Sequence, residues 1–303
     1  MQAIQAINKD NQLHISNLKG TKLDGLRALG TNTLSNNFCI KMNNPQAKVK
    51  TIKSDISNNK NLENYVKICN FNKHTTFALW TKRKDIIKAY FDKHVKPKNL
   101  ILVYSNPNID KPILKTFGHF DKVFNNVIKD NPQFKAIQNC TGQQCKDCLK
   151  CYKKSKLDKN NIIIEAVKHN TKKPIKSICE VCYSHKGINF RKHTMVKPLE
   201  KNSRLLQTTL SDLQIPRLLD LYIRFNHHGE LLTGGGDIMQ YEVTIEKHWS
   251  NTTYNVALNS YESNGWGMSS GRAFDVSYNE AIKEANKQAS IYNAPIIKKE
   301  GVK

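Results

Sequence analysis

Four cysteines within twelve residues constrain this chain more than anything else in it: Cys140-x4-Cys145-x2-Cys148-x2-Cys151. Thiols two residues apart can face one centre, because the intervening turn brings both sulfurs to the same side. That spacing suits zinc, at about 2.3 Å per Zn–S bond, or an iron–sulfur cluster. A second pair, Cys179-x2-Cys182, opens a Cys-Tyr-Ser stretch, and Cys39 is its candidate third ligand. Seven of the eight cysteines therefore fall into metal-ligand spacings. The competing use is disulfide bonding. The opening residues carry no secretory pattern, and reducing compartments disfavour disulfides, so reduced thiols in a cytoplasmic setting are expected.

Charge adds a second constraint. The 303 residues carry a formal +23, and it is unevenly placed. Residues 237–303 hold seven Lys/Arg against eight Asp/Glu, a net of −1, so residues 1–236 carry +24. Such a segment favours polyanions, because each neutralised phosphate releases condensed counterions. A Lys/Asn-rich composition would also raise the charge without any selection for binding. No run approaches the roughly 18 apolar residues that a membrane span requires, which argues against a membrane partner.

Hydrophobic periodicity lays out the elements. Residues 1–60 are punctuated by Gly20, Gly25 and Gly30, and read as turns with little regular structure before Cys39. Leu62, Tyr65, Val66 and Cys69 recur at helical spacing, which makes Cys69 an ordinary buried thiol. Strands are expected at Thr76–Trp80, Asn99–Tyr104, Lys122–Val127, Asn161–Val167 and Leu221–Phe225, with a helix over Lys84–His94. Apolar strands alternating with helices imply an α/β fold with a parallel sheet or partial barrel, whose polar strand ends gather at one rim. Thr233-Gly234-Gly235-Gly236 reads as a joint between a basic cysteine-rich domain, 1–233, and a small module, 237–303. Tyr241–Glu246 and Tyr254–Asn259 alternate as a hairpin, and Gly265-Trp-Gly starts a third strand. Ser277-x-x-Glu280 is a capping box opening a helix, so the module reads β-β-β-α.

Two strand-end motifs carry chemistry. Thr81-Lys82-Arg83 sets two cations beside a hydroxyl, suited to a phosphate or carboxylate of a substrate. Arg224-Phe-Asn-His-His-Gly-Glu230 is denser, and alternation sends Arg224, Asn226 and His228 to one face of the strand. Asn226, His228 and Glu230 are the candidates for acid–base work, with Arg224 binding substrate. Ser105-Asn106-Pro107 also serves as an ordinary turn.

The strings FALWTKR, NLILVYSNP, FDKVFNN, NCTGQQCKDCLKCYK, CEVCYS and RFNHHGE together make residues 18–232 resemble the phage gene-product-88-like proteins of bacterial viruses and mobile elements. The resemblance implies a bacterial host cell and no settled reaction. In those proteins the CEVCYS…RFNHHGE segment precedes FALWTKR, whereas here residues 177–232 follow the four-cysteine run. The transposed segment can regain its place only if the connections around 48–60 and 168–176 reach. The Cys-x-x-Cys-Tyr opening also resembles radical S-adenosylmethionine enzymes. By that analogy Cys39, Cys179 and Cys182 would hold an open [4Fe–4S] cluster and bring in S-adenosylmethionine, and the other four cysteines would hold a closed one. The three-cysteine spacing of that superfamily is absent.

Two functions follow as expectations. One is a zinc- or iron–sulfur-bearing basic protein of a mobile element that contacts nucleic acid. The other is an iron–sulfur enzyme acting at the strand-end rim. A zinc-stapled interaction protein without catalysis is the plainest alternative, and no partner is assigned to residues 237–303.

Overall fold

The computed structural model describes residues 11–33, 36, 38–39, 42, 59–168, 177–182, 192–226, 229–231, 240–247, 254–261, 267–292 and 296–298. Among them, seven strands form one mostly parallel sheet: β1 (Ser16–Asn17), β2 (Arg27–Leu29), β3 (Thr76–Thr81), β4 (Leu100–Ile109), β5 (Lys122–Ile128), β6 (Ile162–Val167) and β7 (Tyr222–Phe225). Their spatial order is β1-β2-β7-β3-β4-β5-β6. Only β1 runs antiparallel, against β2 at one edge. The sheet is open, with β1 and β6 as its edges.

Both faces are buried, which explains why the strands read as continuous apolar runs. On one face Leu29, Phe77, Leu79, Leu100, Leu102, Val123, Ile162, Ile223 and Phe225 pack under helices α1 (Lys60–Phe71) and α2 (Lys84–Phe91). Asn59 starts α1 by accepting from the Leu62 N–H at 2.8 Å, and Leu62, Tyr65, Ile68 and Cys69 then form its buried stripe. Helix α2 stops at Phe91, short of the expected His94. The His94 ring stacks on Tyr90, with its Nδ1 2.8 Å from the Tyr90 carbonyl, at the point where the helix would have continued.

Among the described residues, no long helix covers the opposite face. Ala28, Ala78, Trp80, Ile101, Val103, Phe124 and Ile163 are covered by Leu18, Leu23 and Leu26 from one loop and by Tyr152 from another. Leu149 and three cysteines (Cys140, Cys145 and Cys151) pack against this cluster. The four-cysteine run is thus part of the sheet's cover. It holds a one-turn helix α4 (Cys145–Cys148), preceded by another, α3 (Pro132–Lys135).

Strand β7 comes last in the chain among the strands of this sheet but sits between β2 and β3, parallel to both, with Ile223 opposite Arg27 on one side and Phe77 on the other. A 16-residue helix, α5 (Lys192–Gln207), precedes it. This helix carries Pro198 in its interior, where proline ordinarily breaks one, so no local pattern announces it. Strand β4 is also longer than expected. Ser105-Asn106-Pro107 continues it as an irregular edge against β5, and buried Asn106 donates to the Lys111 carbonyl and to Asn125 Oδ1.

Buried asparagines pin several such joints. Asn99 Nδ2 lies within 2.9–3.1 Å of the Cys69, Asn72 and Thr75 carbonyls. Asn202, fully buried on α5, accepts from the His14 N–H at 2.7 Å and donates to the His14 and Gly30 carbonyls. The Lys/Asn-rich composition therefore carries structural work.

The carboxy-terminal module follows the expected pattern with one addition. Strands β8 (Gln240–Lys247), β9 (Tyr254–Tyr261) and β10 (Gly267–Val276) are antiparallel neighbours. Helix α6 (Tyr278–Tyr292) begins at the Ser277/Glu280 capping box and buries Ala281 and Ala285 against Val243, Ile245 and Val256. A short β11 (Ile296–Lys298) then pairs parallel to β8, making the module β-β-β-α-β. The expected joint at 233–236 lies outside the described residues. Among those residues, no helix is long and apolar enough to cross a membrane.

Replacing Asn202 by Leu, similar in volume, leaves the His14 N–H and the Gly30 carbonyl buried without partners. The expected loss is about 3 kcal/mol, seen as a lower urea midpoint at unchanged slope. A loss below about 1 kcal/mol would mean that α5 does not clamp the amino-terminal segment through this side chain.

Candidate metal centres

The carboxyl ends of the parallel strands form one rim, and the rim is knotted by Glu230. Its carboxylate is nearly fully buried just beyond β7 and accepts from the Thr81 hydroxyl, the Lys82 N–H at 2.8 Å and the Leu231 N–H at 2.9 Å. Lys82 Nζ stands 4.0 Å from the same carboxylate. The turn that delivers Glu230 needs Gly229, whose φ is +80°. A Cβ there would lie 1.9 Å from Thr31 Oγ1 and 2.9 Å from the Thr31 carbonyl oxygen. Asn36 Nδ2 donates to the Glu230 carbonyl at 3.1 Å, and Asn36 Oδ1 accepts from the Cys39 N–H at 3.0 Å. Cys39 is thereby tied to the end of β7.

The other two cysteines of that set reach the rim from the far side of the chain. Ser177 bridges to Asn108 at the end of β4 and caps the 3-10 turn Ile178–Val181, with its hydroxyl 3.2 Å from the Cys179 N–H. The three thiols share one electrostatic neighbourhood. Burial first, then the Glu230 carboxylate, push the Cys39 thiol well above its ordinary range, with Cys182 and Cys179 adding to the rise and Lys82 opposing it. Burial likewise raises Cys179, again opposed by Lys82. Lys82 itself is raised: burial works against its charge, but Cys179, Glu230, Cys182 and Cys39 outweigh it.

The four-cysteine set lies on the loop-covered face of the sheet. Cys140, Cys145, Cys148 and Cys151 line one small hollow with Lys22, Leu149, Tyr152 and Ile163. The hollow holds about 20 Å³ for a water-sized sphere, roughly one such sphere. Lys22 Nζ donates to Cys140 Sγ at 2.9 Å and pairs with Glu165 at 2.8 Å, while the Cys145 N–H donates to the Lys22 carbonyl at 2.9 Å. Burial raises the thiols of Cys140 and Cys145, and pushes Cys151 up to about 12. Among the described residues, no group of three or more His, Cys, Asp or Glu side chains is arranged to hold a metal ion. Each set is therefore a gathering of reduced thiols rather than a formed coordination shell.

The remaining expected residues divide between the two sides. Arg224 does not share a face with Asn226. Its guanidinium lies 4.0 Å over the Trp80 ring, on the side of the four-cysteine loop. Asn226 adopts φ 56°, which breaks the strand alternation, and accepts from the Tyr65 hydroxyl at 2.8 Å. Tyr65 stacks on Phe225 in the helical layer. Arg83 is buried, held by Asp85 through Nε and Nη2, and lies over the Phe38 ring, so its charge serves the loop. His228 and its neighbour His227 lie outside the described residues. Lys22 and Asn36 were not found from the sequence. Lys22 sits in a segment read as turns, and no local pattern marks it.

No protein-family profile, curated protein or solved structure matches this chain.

Glu230, expected as an acid–base residue, is here an acceptor filled by three donors. Glu230→Gln turns an amide NH2 toward at least one of them and is expected to cost about 2 kcal/mol of stability. Thermal and urea unfolding of the variant check this. Unchanged stability would show a carboxylate free for proton transfer instead of one bracing the rim.

Proposed function

We propose that the chain is a thiolate-metal protein with two centres: an open one at the rim, held by Cys39, Cys179 and Cys182, and a closed one held by Cys140, Cys145, Cys148 and Cys151. The observation that carries this reading is that Cys39 and the Cys179/Cys182 pair, 140 positions apart in the chain, are brought to the same strand-end rim. Ligands of open parallel sheets bind at that end. The donor set fits a soft centre, zinc or iron–sulfur, since all seven groups are sulfur and both sets have a cation close by. Three protein ligands leave a coordination position open, as catalytic sites require, whereas four close the shell.

A metal at the rim would supply a Lewis-acid or redox centre with one free position. The chain's own residues do the rest. Glu230 holds the ends of β3 and β7 together, and Lys82, half-buried with its backbone tied to that carboxylate, presents an ammonium toward the three thiols. That ammonium offsets thiolate charge and attracts an anionic group of a bound substrate.

Metal and acid-labile sulfide, measured on protein purified without oxygen, test the reading. Two centres are expected. Cys39→Ser should remove the rim centre alone, and Cys148→Ser should weaken the other alone. Protein that holds no metal with all thiols reduced would overturn the proposal, and a brown chromophore would select iron–sulfur over zinc.

The +24 of residues 1–236 favours a second activity, contact with nucleic acid. Binding should then weaken steeply between about 50 and 200 mM salt, in line with several phosphate contacts. Affinity that is flat across this range, measured by fluorescence anisotropy on a single-stranded and a duplex oligonucleotide, would remove this reading and leave the metal reading untouched.

A further inference from the structure

Lys22 lines the four-cysteine hollow and Arg224 approaches the same loop from β7, and neither cation is explained by the rim. Lys22 comes from the loop between β1 and β2, which is otherwise a cover for the sheet. Its ammonium is 2.9 Å from Cys140 Sγ, and its carbonyl accepts from the Cys145 N–H at 2.9 Å, so it grips the cysteine loop at both ends. Three residues on, Gly25 approaches the same loop so closely that a Cβ would lie 2.7 Å from Lys146 Cδ.

Arg224 reaches the loop from β7. Its guanidinium is stacked on Trp80, whose ring packs against Phe124 beneath the cysteine loop. Its Nε is buried with no acceptor among the described residues, and no carboxylate of those residues pairs with it. A partly buried guanidinium that lacks a carboxylate is costly unless an anion stands nearby. Cys145 and Cys151 pack against the same apolar cluster as Trp80, so thiolates formed there on metal binding would supply that anion.

We infer that Lys22 and Arg224 are the built-in counter-cations of a negatively charged tetrathiolate centre formed by Cys140, Cys145, Cys148 and Cys151. This rests on the reading of those cysteines as metal ligands. Four thiolates around a divalent ion, or around an oxidised cluster core of about +2, leave a formal charge of about −2. Lys22 and Arg224 supply the opposing charges from two different layers of the fold, with Glu165 sharing Lys22. Both are positioning residues: hydrogen bonding and charge beside the sulfurs set how tightly the centre is held and, for iron, its potential. The assignment moves Arg224 from substrate binding at the rim to the support of the closed centre. It also joins the amino-terminal segment to that centre, so that metal loss should loosen residues 18–26.

The test compares metal retention in wild type with that in Lys22→Met, Arg224→Met, the conservative Lys22→Arg and a control, Lys153→Met, which removes an exposed charge just after the cysteine run. Zinc, or iron, released to a chelator is followed over time on the full chain, and circular dichroism confirms that each variant is folded. Lys22→Met and Arg224→Met should release the metal of the closed centre about tenfold to hundredfold faster, with Lys22→Arg and the control near wild type. Hydrogen exchange of residues 18–26 should rise when the metal is removed. Folded variants that retain metal like wild type would overturn the inference while leaving the metal reading in place. Wild type without any metal would overturn the metal reading itself, and this inference with it.

Discussion

The parallel pairing of β7 with both β2 and β3 is the constraint on which the rest of the structure depends. Backbone hydrogen bonds alone do not choose that slot, because any parallel edge offers the same ladder. The choice comes from side chains. Ile223 and Phe225 continue the apolar layer under α1, and Phe225 stacks between Tyr65 and Phe77 at 4.3 and 4.8 Å. Beyond the strand, Gly229 lets the chain pass against Thr31, and Glu230 closes on Thr81 and Lys82. Out of this slot, Glu230 would be an unpaired buried charge and Arg224 would lose its aromatic platform. The pairing joins residue 27 to residue 223, which places this chain among topologies that must close long loops before they gain native contacts.

The same strand links the two thiol groups. Arg224, near its end, faces the closed set on one side of the sheet. Asn226 and Glu230, a few residues later, belong to the rim beside the other set. Burial works against thiolates at both places, and the fold sets a cation at each: Lys82 at the rim, Lys22 and Arg224 at the loop. Without a metal the raised thiols keep their protons. Binding a metal exchanges those protons for a positive centre, which is how such sites add to folding free energy.

Much of the layout is legible in the sequence, because it rests on apolar runs and their spacing. The stripe of α1, the strands at 76, 100, 122, 162 and 222 and the capping box of α6 all follow local rules. What escapes depends on distant partners. Helix α5 contains a proline, yet its buried Asn202, Leu205 and Leu206 hold it in place against the amino-terminal segment and the core. Strands β1, β2 and β11 are two or three residues long and exist only because a neighbour pairs with them. At the sites, cysteine spacing marks the ligand candidates, but not that Asn36 ties Cys39 to the segment after β7 while Ser177 ties the Cys179 turn to the end of β4. The alternation of β7 misplaces Asn226, because one left-handed residue at the strand end cancels the period of two. Lys22 has no local signature at all, since its role is set by a loop 118 positions away.

The convergence of Cys39 with the Cys179/Cys182 pair is the central claim, and mild oxidation of the metal-free protein tests it most directly. A chain keeping Cys39, Cys179 and Cys182, with its other cysteines replaced by serine, would be oxidised at low concentration and its disulfides mapped by peptide mass spectrometry. The account predicts intramolecular bonds from Cys39 to Cys179 or Cys182 in the folded protein, lost in urea. Only the local Cys179–Cys182 bond, with Cys39 free, would contradict it.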